Sequence, residues 1–213
     1  MPELGLFPLP IVLFPTERIP LHIFEPRYRE LVEECLATGS EFGLALATGD
    51  GAVHEIGTRA SVLEVLEVLG DDRMNIVVAG GERFRLLELT SGRAFATGIV
   101  EPVVDDDEAA DPADVERATA LFGELASLAE SPVDHPDPES PQLDWELAAR
   151  VDLGVDAEQE LLAMQSPRAR MARLAELLGI ALEAMRAERL LRERAGRNGK
   201  VAPLDPDLPD TAG

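Results

Sequence analysis

With 213 residues, 46% of them hydrophobic, the chain can bury a sizeable core and is not disordered throughout. Its 41 acids against 19 bases leave a net charge of −22, concentrated between residues 101 and 160, where 19 acids meet 2 bases. Nucleic acid and anionic membrane surfaces are thereby excluded as general partners, because both are recognised by clustered Lys and Arg.

Residues 6–28 hold five prolines, at 8, 10, 15, 20 and 26, without losing their apolar runs. Proline fits neither a helix interior nor a central strand, so the chain must turn or run extended at each. Residues 11–14 and 21–24 then read as an edge strand and a second strand joined by a turn. A helix follows over 27–37, with Gly39 just past its end. Residues 42–47 form a short apolar strand before a turn signal at 48–51. Residues 58–69 carry apolar side chains that would also line a helix. The turn at 70–73 and the β-branched run at 74–79 favour a strand. Further strands at 82–89, after Gly80-Gly81, and at 94–104 bring the count to six or seven, which indicates a barrel or closed sheet.

From residue 105 the pattern is helical. Asp111 and Pro112 supply an N-cap and a first-turn proline ahead of Val115, Ala118, Phe122, Leu125 and Leu128 at helical spacing. Residues 131–141, proline-rich and acidic, read as an exposed loop. A short helix carries Trp145, Ala148, Ala149 and Asp152, and Asp156 with Gln159 resembles a capping box before Leu161-Leu162. Ser166-Pro167 opens a long helix with Met171, Leu174, Leu178, Leu182 and Met185 on one stripe, ending near Gly196. The expected organisation is α+β: a β-rich barrel over 1–104, a helical bundle over 105–196, and a flexible acidic tail over 197–213.

Several motifs together carry a family resemblance. They are Leu9-Pro10 leading into Val12-Leu13-Phe14-Pro15, the run from Pro20 to Tyr28 (PLHIFEPRY), Phe42-Gly43, Ile56-Gly57-Thr58, the run from Gly80 to Arg85 (GGERFR), and Gln159-Glu160-Leu161-Leu162. Over about residues 4–195 the chain resembles the N-terminal substrate-binding domain of Lon proteases in free-standing form. The resemblance implies a PUA-like twisted β pseudo-barrel with a short inserted helix, followed by a C-terminal helical bundle. It also implies binding of unfolded or tagged polypeptide, or service to a partner protease as an adaptor in protein quality control. A full Lon protease continues into ATPase and Ser-Lys peptidase modules. This sequence shows no G-x-x-x-x-G-K-[ST] loop, and its only lysine is Lys200 in the tail. Neither enzymatic activity nor a cofactor is expected.

Candidate peptide- or ligand-binding residues are His22, Glu25, Arg27, Tyr28, Arg83, Arg85 and Met171. His22 beside Glu25 has the elements of a general base; a strand histidine bonded locally is the plainer alternative. Glu25, Arg27 and Tyr28 sit at a strand-to-helix junction, where Glu25 suits the helix dipole and Arg27 suits a carboxylate or loop carbonyls. Arg83 and Arg85 flank Phe84 and share a strand face, positioned for cross-strand pairing with acids. Met164, Met171 and Met185 are either adaptable contacts for an apolar peptide or core residues. Residues 105–108 with Asp111 read as a solvated acidic linker. The basic run Arg186, Arg189, Arg192, Arg194 and Arg197 complements the acidic middle third, in this chain or in the second copy of a homodimer.

His22, His54 and His135 lie far apart and Cys35 is one soft ligand, so no metal site is expected. Cys35, beside Glu33 and Glu34, reads as a buried core thiol and suits a reducing, cytoplasmic compartment. No apolar run approaches the roughly 20 residues of a membrane span, and the first residues lack the basic region of a signal peptide. Two functions compete: polypeptide binding in a groove between barrel and helices, and small-ligand binding or chemistry in the same cleft.

Overall fold

The computed structural model describes residues 3–49, 51–70, 73–129 and 134–198. Parts of the turns expected at 48–51 and 70–73, part of the 131–141 loop, and the tail from residue 199 lie outside them.

Strands β1 (Glu3–Leu9) and β2 (Arg18–Ile23) each contain a proline, and both tolerate it because pairing there is one-sided. Pro8 lies in the half of β1 that pairs only with β3 (Phe42–Leu46), and β2 is an edge strand paired only with β5 (Met74–Thr90). Residues 11–14, expected as a strand, are irregular instead. Bracketed by Pro10 and Pro15, they run between two cores. Val12 and Phe14 pack with the helices and Leu13 with the barrel, where Thr58 Oγ1 donates to the Leu13 carbonyl at 2.5 Å. Helix α1 (Pro26–Thr38) closes on Gly39 at φ 67°, the left-handed cap that its sequence position suggests.

With β4 (Ile56–Val68) and β6 (Thr97–Pro102), the sheet runs β2-β5-β4-β3-β1-β6, and β5 also pairs with β6. Five strands therefore close into a ring, the expected pseudo-barrel, with β2 attached to the first half of β5. Closure depends on the length of β5. The two strands expected on either side of Gly80-Gly81 are one strand of 17 residues. Its first half pairs with β2, its second with β6, and β4 pairs along both. Gly80 permits this continuity, since a Cβ there would lie 2.0 Å from the Phe14 carbonyl oxygen.

The helices are α2 (Pro112–Ala129), α3 (Leu143–Ala148), α4 (Val155–Ala163) and α5 (Pro167–Asn198). Asp111 Oδ1 accepts the Ala113 N–H at 2.9 Å, and Ser166 Oγ accepts the Ala169 N–H at 3.0 Å, so both expected starts are capped. The capping box does not form. Gly154 is the N-cap of α4, Asp156 lies inside its first turn, and Gln159 Nε2 instead donates to the Ile56 carbonyl of β4 at 3.1 Å. Asp152 falls beyond α3 rather than within it. The helical core includes Phe122, Leu147, Leu161, Leu174 and Leu178 and continues into the barrel through Phe14, Leu46 and Ile56. One apolar core thus crosses residue 104. Met171 is packed within it and presents no surface to a peptide. Among the described residues no helix is long and apolar enough to cross a membrane.

Gly80→Ala should push the Phe14 carbonyl out of the seam and destabilise the fold by about 1–3 kcal/mol, read as a lowered urea midpoint. An unchanged midpoint would show that the two backbones are not in contact.

Candidate functional site

The barrel meets the helices at a buried charge cluster built around Trp145. Arg83 of β5 and Arg170 of α5 are 4% and 2% exposed. Arg83 Nη1 donates to the Leu162 and Met164 carbonyls, each at 2.7 Å, and Nη2 donates to Asp105. Arg170 Nε donates to Asp144 at 2.6 Å; its two Nη groups reach both Asp105 oxygens, at 3.0 and 2.7 Å. Both guanidiniums stack near the Trp145 ring, with centroid distances of 5.2 and 3.9 Å, and Phe14 stacks on the same ring at 5.7 Å. Burial pulls the Arg83 guanidinium below its ordinary range; Asp105 opposes that shift and the charge of Arg170 adds to it. Asp105 is therefore a shared counter-ion, not the solvated linker residue expected, and Arg83 reaches the helices instead of pairing across the sheet. Arg85 does pair across it, with its register partner Glu101 at 3.7 Å and with Glu55 at 3.5 Å.

The remaining candidates lie elsewhere. Tyr28 is buried, with its ring stacked on Phe7 at 4.1 Å and covered by Arg27 at 4.5 Å; burial pushes its phenol up. Arg27 also pairs with Glu25 at 2.7 Å on the surface. His22 is exposed, and its Nδ1 donates to Asn75 Oδ1 at 2.7 Å. The 690 Å³ cleft between barrel and helices is walled by Pro15, Gly81, Pro102, Val103, Val104 and Trp145. Of the predicted residues only Arg83 lines it, with both Nη groups already bonded. Cys35 is buried, and burial, more than the charge of Glu34, pushes the thiol up. Among the described residues no three His, Cys, Asp or Glu side chains gather as a metal site requires.

A second surface feature was not anticipated from the sequence. Residues 62–69 read VLEVLEVL, a period of three forced onto a strand whose faces alternate with period two. The register resolves the conflict with bulges: Val62 pairs with Val78 and Glu64 with Val77, then Val65 with Ile76 and Glu67 with Asn75. Leu63 and Leu66 are left out of the ladder at 50% and 53% exposure. Leu66 and Glu67 share a shallow groove of 620 Å³ with Pro20, Leu21, His22 and Asn75. Phe24, 63% exposed, stacks against His22 at 5.9 Å and extends the apolar surface. The three-residue repeat was the available signal; only the strand pairing shows where its extra leucines go.

This geometry defines a class: an α+β, PUA-like pseudo-barrel buried against a helical arm, with a shallow groove of mixed apolar and polar lining on its sheet. The family model of the ATP-dependent protease La (LON) substrate-binding domain matches residues 3–179, and the chain belongs to that family. It is 24% identical over 211 residues to the Lon protease of Solibacter usitatus, and 27% identical over 188 residues to that of Anaeromyxobacter dehalogenans. It covers 26% and 22% of those proteins, while the matches span 90% and 78% of this chain. Among solved structures it is similar to a Lon N-terminal domain protein from Xanthomonas campestris, with TM-score 0.67, 29% identity, and 82% of this chain matched to 97% of that one. The N-terminal domain of Mycobacterium avium complex Lon protease shares the fold at TM-score 0.64 and 16% identity, over 84% of this chain and 98% of that one.

Arg170→Ala should cost about 3–5 kcal/mol in urea unfolding, because Asp105 and Asp144 would lose a buried counter-ion. A loss below about 1 kcal/mol would show that the cluster does not clamp the two halves.

A pH dependence follows from Glu17, whose Oε2 accepts the Phe14 N–H at 2.8 Å. Burial holds its carboxyl above the ordinary 4.5; the Phe14 bond opposes this and the charge of Glu158 adds. Glu158 is also raised, chiefly by burial. A carboxyl raised on folding destabilises the native state above its folded pKa, and that penalty fades as pH falls toward 4.5. The melting temperature of Glu17→Gln minus that of wild type should therefore be most positive near neutral pH and shrink on acidification. A difference independent of pH would contradict this.

Proposed function

We propose that this chain is a non-enzymatic polypeptide-binding module that captures unfolded or tagged chains on apolar side chains and presents them to a separate protease. The supporting observation is exposed Leu66 in the His22 groove and exposed Phe24 stacked on His22, with exposed Leu63 one bulge earlier on β4. Large apolar side chains clustered at a surface favour contact with other apolar groups, and a groove admits side chains of many shapes. Capture proceeds through side chains rather than by strand addition. Pro20 removes an N–H from the β2 edge, and two bulges interrupt β4 beyond Ala60, where pairing with β3 stops. Sequence-tolerant recognition follows, because the contacts are apolar and few donors are fixed in space.

The absence of chemistry is supported by the state of the candidate groups. His22 is bonded to Asn75 on an open surface and Glu25 is tied to Arg27, so neither base nor acid is held in a water-excluding site. The competing small-ligand reading draws less support, since Arg83 and Asp105, which line the barrel–helix cleft, are already paired with each other. The adaptor role rests on family membership: in the relatives, the matched region is about a quarter of a protease chain. A cytoplasmic setting fits the single, buried Cys35.

Fluorescence anisotropy with a labelled, reduced and alkylated polypeptide tests the reading. Phe24→Ser and Leu66→Ser should each weaken binding by about tenfold, roughly 1.4 kcal/mol of lost apolar contact, with no change in melting temperature. Undetectable binding by the wild-type chain, or unaltered binding by the double variant, would refute it.

A further inference from the structure

We propose that two copies of this chain associate reciprocally, the projecting end of α5 from each seating in an acidic-rimmed apolar groove on α2 of the other. Helices α2 and α5 run parallel: a Cβ at Gly179 would lie 4.0 Å from Leu121, and Arg186 meets Glu124 at 2.5 Å. The last turns of α5 consequently extend past Ala129, the final residue of α2. There Leu190 and Leu191 are 54% and 64% exposed, followed by exposed Arg192, which pairs with Glu188 at 2.6 Å on the surface, and by exposed Arg194. Two adjacent exposed leucines followed by guanidiniums, one of them held only by a weak surface pair, suit a partner that is apolar at its centre and acidic at its rim.

Such a surface exists at the opposite end of the same helix pair. A groove of 630 Å³ is lined by Pro112, Val115, Glu116, Thr119, Ala120 and Pro138. Its walls are almost wholly apolar, and the carboxylates of Glu116 and of Glu139, next to Pro138, meet no cation among the described residues. The Thr119 hydroxyl is buried beside it without a hydrogen-bond partner among the described residues. At 1.5 Å per residue, the level of Val115–Thr119 lies about 20 Å along α5 from Leu190, so the segment does not reach its own groove. A two-fold axis passing beside α5 at the level of Glu183, perpendicular to the helix, reverses its direction and brings each basic end level with the other copy's groove. The contact closes after two copies and does not propagate. It is separate from the Phe24–Leu66 surface and does not depend on the polypeptide-binding reading.

Sedimentation velocity of the intact chain up to about 200 µM tests it, with association weakened roughly tenfold between about 50 and 500 mM salt as charge screening increases. Arg192→Glu with Arg194→Glu should yield monomers, as should Glu116→Arg with Glu139→Arg. Mixing the two variants restores opposite charges at both contacts and should recover the dimer, which also shows that each variant is folded. A monomeric wild-type chain, a dimer surviving either double substitution, or no recovery on mixing would overturn the proposal. Any of these results leaves polypeptide capture by the wild-type chain intact.

Discussion

Two guanidiniums buried against one tryptophan ring hold this protein together. Burying a charge is costly, and Arg83 and Arg170 are tolerated only because Asp105, Asp144 and the Leu162 and Met164 carbonyls satisfy them. The carbonyls are the informative part. The last turn of a helix leaves carbonyls without partners, and the end of α4 carries the negative pole of its dipole. Arg83, fixed on a barrel strand, supplies donors and positive charge to that end. A strand of the barrel thereby caps a helix of the arm, and Trp145 fills the space between the two cations.

That clamp explains why the irregular stretch at 11–14 exists. With the arm held against the ring, the seam needs apolar filler from both sides. Val12 and Phe14 face the helices while Leu13 faces the barrel. The Gly80 backbone lies directly beneath, which keeps β5 continuous where a side chain would have broken it. The length of β5 in turn closes the ring and offers its first half to β2. The groove across β2, β5 and β4 therefore rests on the same seam, although it lies on another face of the sheet.

Charge is distributed along the same logic. The acids between residues 101 and 160 divide into those consumed by the clamp or by α5 and those left facing solvent. Asp105 and Asp144 belong to the clamp, and Glu124 and Glu160 meet Arg186 and Arg173. Among the described residues Glu116 and Glu139 meet no cation, and Glu116 borders apolar surface. A surplus concentrated in one stretch of sequence becomes, in three dimensions, a paired fraction and a fraction left facing solvent.

Much of the architecture was legible in the sequence because it is local. Proline spacing, the Gly39 cap, the Asp111 and Ser166 helix starts and the stripe from Met171 to Met185 depend on backbone sterics and helical period, which act over a few residues. The family motifs pointed to the pseudo-barrel and the helical arm for a related reason, since they contain those turns and caps. What only the tertiary structure decided involves partners distant in sequence. Arg83 reaches carbonyls some 80 positions away, Gln159 leaves an expected cap to bond Ile56, and Asp105 turns from linker to counter-ion. The VLEVLEVL repeat shows both sides of the division. Its period of three was visible and incompatible with a regular strand, but only pairing with β5 determined that Leu63 and Leu66 are the residues expelled. Periodicity belongs to one segment; register belongs to two, and burial belongs to the whole fold.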